Sequence, residues 1–294
     1  LLKLIILRSA FFSRAQFFYL CKMNFESIYQ KLQIQDMNKM QKSTYTATEN
    51  ENDVILLSPT GSGKTLAFLF PVLRNLRSDV SGIQAMILVP ARELALQIEQ
   101  VFKAMGTDFK ISICYGGHDK KIEINNFREA PALLIGTPGR IAYHLRNNNF
   151  DPSTIKTLVL DEFDKALELG FEEDMNFIIE ELENCSQRIL TSATAMDKIP
   201  DFVGLQNEKI INFLKIHDSK PNIKLKKVMT TAEEKLNTLF HLICKIGNKR
   251  TLIFCNHRDA VDRISELLRE KGIERETFHG GMEQDERERA LLKF

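Results

Sequence analysis

A short apolar run at residues 54–57 leads into "SPTGSGKT" (58–65), and an amphipathic stretch follows over 64–76. A strand, a glycine loop and a helix in immediate succession constrain the fold more than any other feature of the chain. Gly61 and Gly63 let the backbone turn tightly with its amides facing inward, and the helix start behind them favours anions. Lys64 can reach the outer phosphates of a nucleotide, and the Thr65 hydroxyl can bind Mg²⁺. The general phosphate-loop pattern has glycine where this chain has Ser58, so the match rests on strand–loop–helix context as well as on residue identity.

A second stretch, "LVLDEFDK" (158–165), ends an apolar run in Asp161, Glu162 and Asp164 around Phe163. Carboxylates this close repel one another and resist burial. Acids in the first turn of a helix are one explanation. Beside a phosphate loop a second is stronger: a carboxylate at a strand's carboxyl end can hold magnesium through its water shell. In open α/β sheets ligands bind beyond those ends. Asp161 suits the metal role and Glu162 the water-activating role.

Apolar β-branched runs at 54–57, 85–89, 111–115, 132–135, 157–160 and 188–191 alternate with helical patterns such as 64–76, 93–105 and 173–183. Unbroken apolar strands separated by helices indicate a parallel sheet covered on both faces. The 294 residues suggest about two domains. A polar stretch with one proline, "NFLKIHDSKPNIKLKK" (212–227), reads as a linker. Strands at 227–230, 251–255 and 275–278 are expected beyond it, alternating with helices at 233–246, 259–271 and 283–294. The expected organisation is 23–214 as the first domain, 215–226 as linker and 227–294 as part of a second α/β domain. Residues 1–22 carry four basic and no acidic residues, and Met23 stands where the organised sequence begins. They are expected to form an extension outside the fold, with a transit peptide and an apolar appendage as alternatives. They are too interrupted by charge to span a membrane.

The net charge of +1 gives no bulk attraction for nucleic acid, so binding of that kind must come from local groups. Five cysteines without a C-x-x-C pair argue against a disulfide framework or zinc ribbon and for a reducing compartment, and a cytoplasmic setting is expected.

With "SPTGSGKT" and "LDEFD" in one chain, the sequence resembles the DEAD-box RNA helicases. "PARELALQ" (90–97) looks like motif Ia, "YGG" (115–117) like the GG motif and "TPGR" (137–140) like motif Ib. "TSAT" (191–194) contains the Ser-Ala-Thr of motif III. "LIFCNHR" (252–258) looks like motif IV, and 278–294 like the HG…Q-x-x-R region.

The resemblance implies tandem RecA-like domains, the first complete and the second partial, that bind ATP, Mg²⁺ and RNA across the cleft between them. It implies a catalytic set of Lys64, Asp161, Glu162, Asp164, Ser192 and Thr194, with Thr65 and Asp161 on the metal. Its ATP-binding set is Phe25, Gln41, Ser58, Thr60, Gly61, Ser62, Gly63, Lys64 and Thr65. Its sequence-independent RNA contacts fall on Pro90, Arg92, Gly116, Gly117, Thr137, Pro138, Gly139 and Arg140. Ser192 and Thr194 would couple nucleotide to RNA, with Asp164 contacting their loop.

Three departures stand out. Phe163 replaces the alanine of Asp-Glu-Ala-Asp. The Q motif keeps only Gln41, with Phe25 as its upstream aromatic. The chain stops before motifs V and VI and their arginines, which leads to the expectation of a motor that binds nucleotide but turns it over poorly. The alternative classes are a non-catalytic ATP-gated RNA clamp or scaffold and a DNA-directed helicase.

Overall fold

The computed structural model describes residues 25–117, 119–196, 198–214 and 224–294. The expected extension at 1–22 and most of the expected linker lie outside them. The chain divides into two compact units at 219/220.

In the first unit α1 (Phe25–Lys31) and α2 (Lys39–Asn50) precede a sheet of seven strands. The strands are β1 (Asp53–Leu57), β2 (Ala85–Leu88), β3 (Ile111–Cys114), β4 (Leu133–Gly136), β5 (Thr157–Leu160), β6 (Gln187–Ser192) and β7 (Lys209–Asn212). Their order in space is β3-β4-β2-β5-β6-β1-β7, and all pairings are parallel. The helices between them are α3 (Lys64–Asn75), α4 (Arg92–Met105), α5 (Lys120–Phe127), α6 (Pro138–Arg146), α7 (Phe163–Glu168) and α8 (Glu172–Glu181).

The period-2 alternation of a strand divides the core into two layers. Ile87, Leu133, Ile135, Val159 and Ile189 face one layer with Phe68, Phe70 and Phe102. Met86, Leu88, Leu134, Leu158, Leu160 and Leu190 face the other with Phe163 and Ile178. Each such buried side chain contributes about 1.5–3 kcal/mol. This two-sided burial is why the strands read as continuous apolar runs rather than alternating ones.

The register aligns the strand ends. Leu57 pairs with Ser192, Leu160 with Leu190, Leu88 with both Leu160 and Gly136, and Cys114 with Gly136. The segments following six strands therefore emerge on one rim. Gly136 is needed there: a Cβ on it would lie 2.5 Å from the Cys114 carbonyl oxygen.

Strand β7 falls in a region not expected to hold a strand. It is an edge strand on which only Ile211 is buried, so its composition carries little apolar signal.

The second unit contains α9 (Lys235–Ile246), α10 (Arg258–Glu270) and α11 (Gln284–Lys293), close to the expected helices. The strands expected at 227–230, 251–255 and 275–278 do not form ladders among the described residues. A parallel strand needs neighbours on its hydrogen-bonding edges and cover on its faces. Here Leu252, Phe254 and Phe278 remain exposed.

Candidate active site

The phosphate loop springs from β1 and is tied to β6 by the Ser58 N–H, which donates to the Ser192 carbonyl at 3.0 Å. Ser58 Oγ donates to Ser62 Oγ at 2.6 Å, and Ser62 Oγ donates to the Pro59 carbonyl at 2.7 Å. Ser58 thus does more than fill a glycine position, because its hydroxyl braces the turn. Gly61 and Gly63 have φ of 78° and 90°, the left-handed region that favours glycine. Lys64 Nζ lies over the loop and donates to the Ser58 carbonyl at 2.9 Å. Gly63 is the N-cap of α3 and offers no side chain, so the amides of the first turn, with Thr65 among them, are left for an anion. Thr60 is the remaining loop residue of the predicted set, between Pro59 and Gly61.

Gln41 joins this loop from α2. Its Nε2 donates to the Gly63 carbonyl at 3.2 Å, and its Oε1 accepts the Asn38 N–H at 2.8 Å. Asn38, which sequence reasoning missed, caps α2 through the Gln41 N–H and also donates to the Ser62 carbonyl at 3.1 Å. The Asn-x-x-Gln spacing before a helix was the available signal, a capping box. Phe25 is accounted for by packing. Its ring stacks on Tyr29 and meets Tyr45 and Phe70 edge-on, at 5.5–6.0 Å.

Next on the rim comes the acidic tip of β5. Its register sets Asp161 beside Thr191, whose hydroxyl donates a short hydrogen bond to Asp161 Oδ1. The same Thr191 oxygen accepts the Glu162 N–H at 3.2 Å. Thr191 was not among the predicted site residues, although it opens "TSAT". Asp161 is only 6% exposed. Burial pushes its carboxyl up to about 6, against the pull of the Thr191 hydrogen bond and the Lys64 charge. Glu162 sits at φ 49°, ψ 48°, a conformation that costs a non-glycine residue about 1–3 kcal/mol and is concentrated at functional sites. Asp164, in the first turn of α7, accepts from Thr194 Oγ1 at 2.8 Å. Ser192 Oγ donates to the Thr194 carbonyl and accepts the Thr194 N–H, at 2.7 and 3.0 Å. The coupling loop is thereby joined to the acidic tip.

Phe163 has a structural reason. It is 1% exposed in the core layer shared with Leu158, Leu160 and Leu190, with its ring 6.4 Å from Phe202. It also lines an apolar pocket together with Thr191, Ser192, Met196 and Ile199. The bulky side chain turns into the sheet and leaves its three acidic neighbours on the rim.

The donor set fits magnesium. Thr65 and Asp161 supply hard oxygens, and Asp161 is a buried carboxylate that a dication would hold in its charged form.

The remaining segments continue the rim along β2, β4 and β3. Pro90 and Arg92 follow β2, Gly116 and Gly117 follow β3, and Thr137–Arg140 follows β4. The Thr137 N–H donates to the Cys114 carbonyl at 3.1 Å, and the Val89 N–H to the Gly136 carbonyl at 3.0 Å. A Cβ on Gly116 would lie 3.2 Å from Arg92 Nη2, so this glycine makes room for the arginine. Gly117 is exposed at φ 101°. Pro138 is buried at the start of α6, and Gly139 is half-buried.

Arg140 was expected among the RNA contacts. It is 8% exposed and pairs through Nη1 with Glu123 Oε2 at 3.0 Å. Its expected role was a phosphate contact. The structure gives it a buried ion pair with a residue seventeen positions upstream that carried no motif signal.

The DEAD/DEAH box helicase model matches residues 38–202. The chain belongs to the DEAD/DEAH box helicase family. The model of the helicase conserved C-terminal domain matches 234–294. An ATP-dependent RNA helicase CshA of Limosilactobacillus reuteri is 32% identical over 265 residues, which cover 88% of this chain and 53% of that protein. The chain thus spans about half the length of this curated relative.

Among solved structures, a DEAD box protein of Methanococcus jannaschii is similar with a TM-score of 0.61 and 26% identity, covering 92% of this chain and 75% of that one. S. cerevisiae Dbp5 bound to RNA and ADP BeF3 is similar with a TM-score of 0.77 and 24% identity, covering 95% of this chain and 72% of that one. The RecA-like α/β architecture expected from the sequence is the one observed in the first unit. Among the described residues, no helix of this DEAD/DEAH box protein is long and apolar enough to cross a membrane.

Proposed function

We propose that this chain forms part of an ATP-dependent RNA helicase, which remodels RNA through ATP hydrolysis. The observation that carries the reading is the rim itself. Phosphate loop, coupling loop and acidic tip follow the neighbouring strands β1, β6 and β5, and the motif Ia, Ib and GG segments follow the neighbouring strands β2, β4 and β3.

In this reading the loop amides and Lys64 hold the phosphates of ATP. Thr65 and Asp161 would hold magnesium, which would neutralise charge on those phosphates. Glu162, raised on its strained backbone beside Asp161, orients and activates the attacking water. The Asp164–Thr194–Ser192 hydrogen bonds link the acidic tip to the loop that follows β6. Backbone amides of Gly116–Gly117 and of the α6 start, with Arg92, meet RNA phosphates without reading bases. RNA is the polymer bound by the similar Dbp5 structure, and the motif segments here supply chemistry suited to it.

The test is RNA-stimulated ATP hydrolysis by the full-length protein. Glu162→Gln should lower turnover about 10²–10⁴-fold while nucleotide binding persists. A parent protein that binds RNA in the presence of ATP but shows no turnover above that of Glu162→Gln would replace this reading with the ATP-gated clamp.

A further inference from the structure

Away from the nucleotide groups, one cluster of buried polar side chains has no part in the proposed reaction. Glu123 on α5 is 5% exposed, Arg140 on α6 is 8% exposed and His144 is fully buried. Glu123 Oε1 accepts the Tyr115 N–H at 3.2 Å. Its Oε2 accepts from Arg140 Nη1 at 3.0 Å and lies 2.7 Å from His144 Nε2. His144 Nδ1 is 2.9 Å from the Asn149 side-chain amide nitrogen. That amide is a donor, so Nδ1 accepts and Nε2 carries the proton directed at Glu123. One carboxylate thus receives donors from the strand end before the Gly116–Gly117 turn and from two positions of α6, the helix that begins at Pro138. Buried charges require this kind of satisfaction by partners.

We propose that Glu123 is a positioning residue for RNA binding, and that Arg140 acts through it rather than as a phosphate ligand. The inference rests on the RNA-helicase reading above. Two backbone segments that meet RNA phosphates must keep a fixed separation, because phosphates recur at a fixed spacing along the strand. Glu123 sets that separation by fastening the Tyr115 amide and the Arg140 guanidinium to opposite oxygens of one side chain. The Thr137 N–H to Cys114 carbonyl bond adds a second tie between the same strands. Cys114 Sγ lies within 4.8 Å of the Glu123 and His144 donor atoms, but the set does not suit a metal. Burial pushes the thiol up and away from its metal-binding form, and the Arg140 cation already occupies the carboxylate.

The experiment measures RNA affinity against salt for the full-length parent, Glu123→Gln and Arg140→Met. It adds the concentration of RNA giving half-maximal ATPase stimulation. The inference predicts that Glu123→Gln weakens RNA binding about tenfold or more. ATPase at saturating RNA and nucleotide affinity stay within about threefold, a split that general misfolding would not produce. Both variants keep the parent's slope of log affinity against log salt, since no phosphate contact is removed. If Arg140 ligates a phosphate, Arg140→Met lowers that slope by about 0.7, and Glu123→Gln, which frees the cation, binds RNA as tightly as the parent; either result overturns the inference. Should the single variants not fold, the double variant Glu123→Gln/Arg140→Met removes both buried charges, and its slope decides on the same terms. A parent that binds no RNA overturns the functional reading and this inference together. A parent that binds RNA beside variants of unchanged affinity overturns the inference alone.

Discussion

The two halves of the rim handle charge in opposite ways. At the nucleotide half, Asp161 is buried with a hydroxyl as its hydrogen-bonding partner, its carboxyl is pushed up to about 6, and Glu162 sits on strained backbone. At the other half, Glu123, Arg140 and His144 satisfy one another inside the protein. The first arrangement lowers stability and makes chemical sense once a cationic ligand arrives. The second holds the fold and, in the proposed reading, leaves phosphate recognition to backbone amides and Arg92. Residue type alone would assign Asp161 and Arg140 alike to ligand binding, and the difference lies in what each side chain faces.

The contrast breaks most sharply under substitution. Glu162→Gln should lower ATP turnover about 10²–10⁴-fold with little change in folding stability, read by steady-state hydrolysis and denaturant titration. Arg140→Met should do the reverse. It leaves Glu123 as an uncompensated buried charge and should destabilise the protein by about 3–5 kcal/mol, measured as a shift in the denaturation midpoint. A stability loss below about 1 kcal/mol would mean that the ion pair is not structural. Phe163→Ala restores the tetrapeptide usual for the family, yet it should destabilise this chain by about 3 kcal/mol, because it removes a buried ring and enlarges the apolar pocket that Phe163 lines with Thr191. Equal stability of the two proteins would show that the ring is not a packing element.

The smallest effect is one of pH. In the proposed site magnesium would need the charged form of Asp161, so magnesium-dependent nucleotide binding should weaken about tenfold for each pH unit below about 6. Affinity flat down to pH 5 would remove Asp161 from the metal site.

Much of the first unit was legible. Six strands appear within a residue or so of expectation, because two-sided burial writes itself as uninterrupted apolar sequence. The phosphate loop and the acidic tip were legible for a different reason: few other structures ask for those residue types at a strand's end. Strand β7 was not, since an edge strand with one buried residue has no pattern to show. The apolar runs of the second unit were misleading in the other direction. Composition permits a strand, but pairing makes one, and Phe254 stands 91% exposed. Glu123 and Thr191 were illegible because their importance comes from register and from contacts distant in sequence. Phe163, the residue for which the motif offered no reason, is explained by the core layer behind it.

The claim that the nucleotide half carries charge against its own stability is tested most directly at Asp161, by denaturant unfolding of parent and Asp161→Asn without nucleotide above pH 7. Because the folded carboxyl binds its proton more tightly than the unfolded one, with its value raised from 3.8 to about 6, ionisation removes stability as pH rises through that window. The amide has no such loss. The account predicts that Asp161→Asn is more stable than the parent by about 1–3 kcal/mol and no longer binds nucleotide in a magnesium-dependent way. An Asp161→Asn protein less stable than the parent, or one that keeps magnesium-dependent binding, would contradict it.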